Sequence, residues 1–243
     1  MSKEPFLGSN KYLAYLEPGK RHFLAADKPV EQLLTPGAII GYGESMKRKK
    51  YEETHEVPQD GKPKVVIAGS FRYKAQIDAL IDLFTEEEIR VLAPPKGRVV
   101  RLISEGFKLL DGDEEVDESV AEMELEGRFL EAVSNADVLY LYNPKGYIGN
   151  TVRWEITVAT TMCHLPIFAL EELRRKDKKK LGMASRIPAL GPKEFTQGLK
   201  DNKLDTSGQR FYLPKTRRPR TRIFPFTDHT GRRTYMIDTS DWG

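Results

Sequence analysis

The sequence predicts an α/β fold: a parallel sheet with helices on both faces, set between N- and C-terminal extensions. Three observations carry the prediction. Short continuous apolar runs alternate with segments of helical periodicity between about residues 62 and 172. Each apolar run lacks the in–out alternation of a half-solvated strand, as expected when both faces of a sheet are covered. The first three also stop at Gly, Pro or Asn, the residues that end strands in turns.

The first strand is Lys64 to Ala68, closed by Gly69-Ser70. Ile77, Leu80, Ile81 and Phe84 follow at i, i+3, i+4 and i+7, one face of a helix. Ile89 to Ala93 is the second strand, stopped by Pro94-Pro95. A helix is expected over Asp117 to Ala132, burying Leu125, Phe129, Ala132 and Val133. Val138 to Tyr142 is the third strand, ended by Asn143-Pro144. The next helix starts near Asn150-Thr151 and turns Val152, Ile156, Ala159 and Cys163 inward, before a fourth strand, Pro166 to Leu170. This order is that of a Rossmann-like (flavodoxin-like) sheet, in which ligands bind beyond the carboxyl ends of the strands.

The flanks read differently. Residues 1–61 hold Pro, Gly and charge with short apolar pieces such as Gly37 to Ile40. The acidic stretch Asp111 to Glu115 reads as an exposed loop. Residues 181–243 are Pro-rich and basic, with a hairpin expected from Arg222–Phe226 and Arg233–Ile237 around Thr227 to Gly231. The organisation is therefore an extension at 1–61, a core at 62–180 and a basic extension at 181–243.

Of the 243 residues 39% are hydrophobic and 31% charged, the balance of a globular chain, and no run approaches the roughly 20 apolar residues that cross a bilayer. The N-terminus lacks the apolar core of a secretory signal, and the single cysteine, Cys163, excludes an internal disulfide framework and a multi-cysteine metal site. A cytoplasmic setting is the default expectation. The net charge is +3, with basic clusters at Lys47–Lys50, Arg174–Lys180 and Lys215–Arg222. Lacking interleaved aromatics, these read first as solvated loops or helix ends, with nucleic-acid contact through the basic flanks second. His22, His55, His164 and His229 have no metal-ligand spacing, and no cofactor fingerprint of the G-x-G-x-x-G or Walker type is present. Neither metal nor cofactor is expected.

Candidate chemistry gathers at the strand ends. Gly69-Ser70 is either an anion-holding turn at a helix start or a plain tight turn. In Asn143 to Glu155, Gly146 and Gly149 let the backbone turn and approach a ligand, and Asn150 or Thr151 caps the helix. Glu155, about one turn in, is expected to stay ionised in the helix dipole, as a nucleophile or as a merely stabilising acid. Arg72 and Arg153 suit a phosphate or a surface ion pair. Tyr147 stacks on a base, closes the pocket or packs. Asp137 closes the preceding helix, Cys163 is core, and Trp154 packs internally or at a dimer interface.

The stretches Val65–Phe71, Asn135–Pro144, Gly146-Tyr-Ile-Gly149, Arg153–Ile156 and Leu165–Phe168 resemble the nucleoside 2-deoxyribosyltransferase-like superfamily, which includes nucleotide N-glycosidases. The resemblance covers about residues 62–172. It implies that Glu155 attacks C1′ of a nucleoside, displacing the base. It places Asn143 where transferases carry a base-handling aspartate, and Gly69, Ser70 and Phe71 in the loop that contacts sugar, base or 5′-phosphate. Asn at 143 and Gly at 149 replace acids of the transferases, leaving hydrolysis, a phosphorylated or ribo substrate, or lost activity open. A homo-oligomer is implied. The other class is a nucleotide-binding sensor or partner-docking module.

Overall fold

The computed structural model describes residues 60–103, 108–111, 121–181, 186–218, 221–227 and 233–238. Readings placed on residues 1–59, including Gly37–Ile40, Lys47–Lys50, His22 and His55, lie outside them. So do those on Gly112–Glu115 and on the turn that contains His229.

Four strands form one parallel sheet: β1 (Lys64–Gly69), β2 (Arg90–Ala93), β5 (Val138–Tyr142) and β6 (Ile167–Ala169), in the order β2-β1-β5-β6. Between β2 and β5 the chain makes a small antiparallel hairpin, β3 (Val99–Leu102) with β4 (Lys108–Leu110), an element beyond the predicted ones. A second hairpin pairs β7 (Arg222–Thr227) with β8 (Arg233–Asp238), one residue longer on each arm than expected.

Successive side chains of a strand point to opposite faces, and each face of this sheet is covered. On one face Val66, Ala68, Leu139 and Leu141 pack against helices α2 (Ala121–Asn135) and α3 (Asn150–Thr161). On the other, Val65, Ile67 and Tyr140 meet α1 (Lys74–Glu86) through Ile77, Leu80, Ile81 and Phe84. Two further helices follow, α4 (Arg175–Leu181) and α5 (Pro192–Lys200). The C-terminal flank contributes more to the core than its composition suggests. Phe195 of α5 is fully buried among Tyr140, Phe84 and Phe168, with ring centroids 4.6, 5.4 and 5.8 Å away. The Tyr140 hydroxyl donates to the Leu190 carbonyl at 2.8 Å, so its polar end is satisfied inside this aromatic cluster.

The helix α3 buries Val152, Ile156 and Ala159, with Cys163 just beyond its end, as their spacing predicts. In α2 the inward face is turned by about one residue from the expectation. Glu126, Leu130 and Val133 are buried, whereas Leu125, Phe129 and Ala132 are half-buried. Asp137 follows closely on the end of α2. Its carboxylate accepts the Lys64 backbone N–H at 2.9 Å, so it pins the start of β1 beside β5. Among the described residues no helix is long and apolar enough to cross a membrane.

Candidate functional site

A helix that follows a parallel strand starts at the carboxyl edge of the sheet, and one that leads into a strand also starts there. That rule puts the first turns of α3 and α2 on the same rim. Glu155 is the sixth residue of α3 and Glu126 the sixth of α2, and the two helices pack side by side. Both glutamates are buried, at 7% and 8% exposure. Among the described residues, Glu155 Oε2 and Glu126 Oε1 have no hydrogen-bond partner.

This environment corrects the expectation that Glu155 stays ionised. Loss of water is the larger influence, and the neighbouring Glu126 charge adds to it, so the Glu155 carboxyl is held well above its ordinary 4.5. Desolvation likewise pushes Glu126 up. Among the described residues no cation acts on either group. The helix dipole offsets little at this depth, because its effect fades within the first turn. Two interacting carboxyls without a counter-charge titrate as a unit, and near neutrality they hold at least one proton between them.

Glu126 escaped the sequence reading, although a signal was there. It stands at i, i+4 and i+7 with Leu130 and Val133, an acid on an apolar stripe. Glu155 does the same with Val152 and Ala159. An acid at an inward position is unusual enough to ask what it is for.

The loop before α3 is shaped by backbone constraints. Lys145 and Gly146 both have positive φ, 58° and 65°. A Cβ on Gly146 would come within 2.2 Å of the Glu172 carbonyl oxygen, so only glycine fits. Gly149 is different: its φ is −77°, and a Cβ there would meet only the Tyr147 hydroxyl at 3.9 Å. Gly149, not Asn150 or Thr151, is the N-cap of α3, and no side chain caps it.

Asn143 is 1% exposed, and its amide is already engaged. Nδ2 donates to the Glu171 carbonyl at 2.8 Å, and Oδ1 accepts the Glu171 N–H at 3.0 Å. The pair closes a ring between the end of β5 and the chain after β6. An aspartate in this place would confront the Glu171 carbonyl with a second acceptor, which gives the asparagine a structural reason.

The turn after β1 also departs from a simple helix start. Phe71 to Tyr73 form a 3-10 turn, so α1 begins only at Lys74, with Tyr73 at its N-cap position and no side-chain cap. The Ser70 hydroxyl accepts Arg72 Nε at 3.1 Å, and Arg72 reaches the Tyr147 hydroxyl at 3.4 Å. The Arg72 and Arg174 guanidiniums each lie 4.7 Å from the Tyr147 ring centroid. Tyr147 is thus held by two cations, and Arg72 joins the β1 turn to the α3 loop.

Beside this loop lies a pocket of about 250 Å³, bounded by Gly149, Asn150 and Arg153 on one side and by Arg174, Asp177 and Lys180 on the other. Asp177 is 2% exposed and pairs with Arg174 at 2.6 Å and Arg153 at 3.4 Å. Arg153 also donates to Asn150 Oδ1. Trp154 is half-buried against the core, and burial pushes the Cys163 thiol up to about 12, as suits a core cysteine. Among the described residues no cluster of His, Cys, Asp and Glu could hold a metal ion. Compared with models of known families the chain matches none, and no curated protein matches it in sequence.

Proposed function

We propose that the chain is an N-glycosidic bond enzyme acting on a nucleoside or nucleoside 5′-monophosphate, as its resemblance to the nucleoside 2-deoxyribosyltransferase-like superfamily implies. The observation that carries this reading is the buried Glu126–Glu155 pair. With one proton between them the pair offers a carboxylate and a carboxylic acid together, the two forms that glycosidic chemistry needs. The proton that burial and the Glu126 charge keep on Glu155 first passes to Glu126. Glu155 as carboxylate then attacks C1′, and the C1′–N bond breaks with its electrons going to the base. Glu126 gives its proton to the departing base. Water, deprotonated by the Glu126 carboxylate, then cleaves the sugar ester and frees Glu155; in a transferase a second base takes the place of water. A homo-oligomer and a cytoplasmic setting belong to the same proposal.

One observation favours a second reading, a nucleotide-binding module. A desolvated glutamate that holds a proton is a weak nucleophile, and Asn143 is committed to Glu171. Incubation with a panel of nucleosides and 5′-monophosphates, followed by chromatography for free base, separates the two. The enzyme releases base, and Glu155→Gln slows release by at least about 10³-fold with an unchanged circular-dichroism spectrum. No base from any substrate, or equal release by Glu155→Gln, removes the enzymatic reading. Nucleotide affinity that survives in Glu155→Gln without base release identifies the binding module.

A further inference from the structure

We infer that the pocket between the start of α3 and α4 is a phosphoryl-anion site, formed by Arg153, Arg174, Lys176 and Lys180 around the buried Asp177. The four cations against one carboxylate leave an excess of three positive charges on a concave surface of about 250 Å³. That volume is below the roughly 300–1,000 Å³ of pockets for drug-sized ligands, and it suits a phosphate or a sugar phosphate.

The arrangement is built rather than incidental. Asp177 is 2% exposed and engages both arginines, fixing their guanidiniums at the pocket wall while neutralising only one of them. Arg153 and Arg174 are themselves only 20% and 33% exposed, so they approach a ligand from a partly dry wall. Planar guanidiniums match a tetrahedral oxyanion in paired hydrogen bonds. Lys176 and Lys180, four residues apart on one face of α4, make no ion pair among the described residues. Lys178, between them, is spent on Glu172. On the opposite side the backbone N–H groups of the 12-residue α3 have no side-chain cap. A phosphate here would therefore meet fixed guanidiniums, available ammonium groups and an uncapped helix start together.

This site differs from the Ser70 turn, which the sequence leaves open as an anion-holding turn or a plain tight turn. Ser70 faces a single guanidinium, Arg72, which is shared with Tyr147. The inference rests on the glycosidic reading only for which molecule carries the phosphate; the chemistry of the pocket would serve a nucleotide-binding module equally.

Calorimetric titration of the full chain with ribose 5-phosphate, inorganic phosphate and ribose tests it. Ribose 5-phosphate binds, ribose does not, and the double variant Lys176→Ala/Lys180→Ala weakens binding at least tenfold with an unchanged circular-dichroism spectrum. Arg153→Lys, which keeps the charge and loses the fork, weakens it severalfold. Tighter binding of ribose 5-phosphate than of inorganic phosphate assigns the site to a sugar phosphate, and equal binding assigns it to free phosphate; both uphold the phosphoryl site. Absence of binding by either phosphate overturns it, as does binding undiminished in the double variant. Displacement of ribose 5-phosphate by a single-stranded oligonucleotide at lower phosphate concentration would assign the surface to nucleic acid and likewise overturn it. Base release by a chain that binds no phosphate sinks this inference alone, whereas phosphate binding without base release sinks the glycosidic one alone.

Discussion

Two charged groups on the same rim of the sheet are built in opposite ways. Glu126 and Glu155 sit in a dry place, two acids side by side with no cation to relieve them among the described residues. Arg153, Arg174 and the buried Asp177 make an ion-paired network that lines a solvent-open pocket, with exposed lysines beside it. The first arrangement costs folding energy whenever both carboxyls ionise. The second costs little, because exposed or paired charges remain solvated or compensated. A pair that destabilises its own fold at higher pH is better explained by a task than by stability. The open network is suited to holding charge on a ligand.

The contrast breaks most readily at the acid pair. Both folded carboxyls lie above the ordinary value of 4.5, so the native state holds its protons more tightly than the unfolded chain does. Their stabilising contribution is complete below about 4.5 and is lost as pH rises through the raised values, about 8 for Glu126. Glu126→Gln removes the Glu126 share of that loss and eases the Glu155 share. At pH 8 the variant is expected to unfold at higher urea than wild type, by about 2 kcal/mol, and the difference narrows toward pH 5. A constant difference across this range would show that the pair does not titrate with folding. The same variant is expected to slow base release, so stability gained and activity lost travel together.

Asn143→Asp sharpens the contrast from the framework side. It replaces a donor facing the Glu171 carbonyl with an acceptor in a buried place, at a cost of about 1–3 kcal/mol in urea unfolding. An unchanged midpoint would mean that the Asn143–Glu171 ring holds nothing together. The smallest effect belongs to the open side. Lys176→Ala and Lys180→Ala remove exposed ammonium groups that make no ion pair among the described residues, and the unfolding midpoint is expected to stay within error of wild type. Their effect is confined to the phosphate titration.

The sheet was legible because its strands are apolar on both faces, and Ile77 to Phe84 and Val152 to Cys163 keep strict helical spacing. The hairpin of β3 and β4 was not. Val100 and Leu102 are exposed at 44% and 62%, so no burial pattern marks the strand. Phe195 was missed because α5 lies in a polar, Pro-flanked segment and contributes this one large side chain to the core. At the candidate site, local sequence located Glu155 and Gly146 but misjudged what surrounds them. The protonation of Glu155 depends on Glu126, 29 positions earlier, and the fixing of Arg153 depends on Asp177, 24 positions later. Neither partner is visible in a window of one helix. The basic run Arg174–Lys180 was visible as charge, yet only the fold places its Arg174, Lys176 and Lys180 at a pocket and leaves Lys178 with Glu172.

The central claim is that Glu126 and Glu155 hold a proton between them at neutral pH. Carbon-13 carboxyl NMR of glutamate-labelled protein, titrated in wild type and in Glu126→Gln, reads it directly. The account predicts that Glu155 titrates well above 4.5 in wild type. In Glu126→Gln it falls only part of the way back, because burial is the larger cause and the neighbouring charge the smaller. A Glu155 carboxyl that titrates near 4.5 in wild type, or one that does not move when Glu126 is replaced, would contradict it.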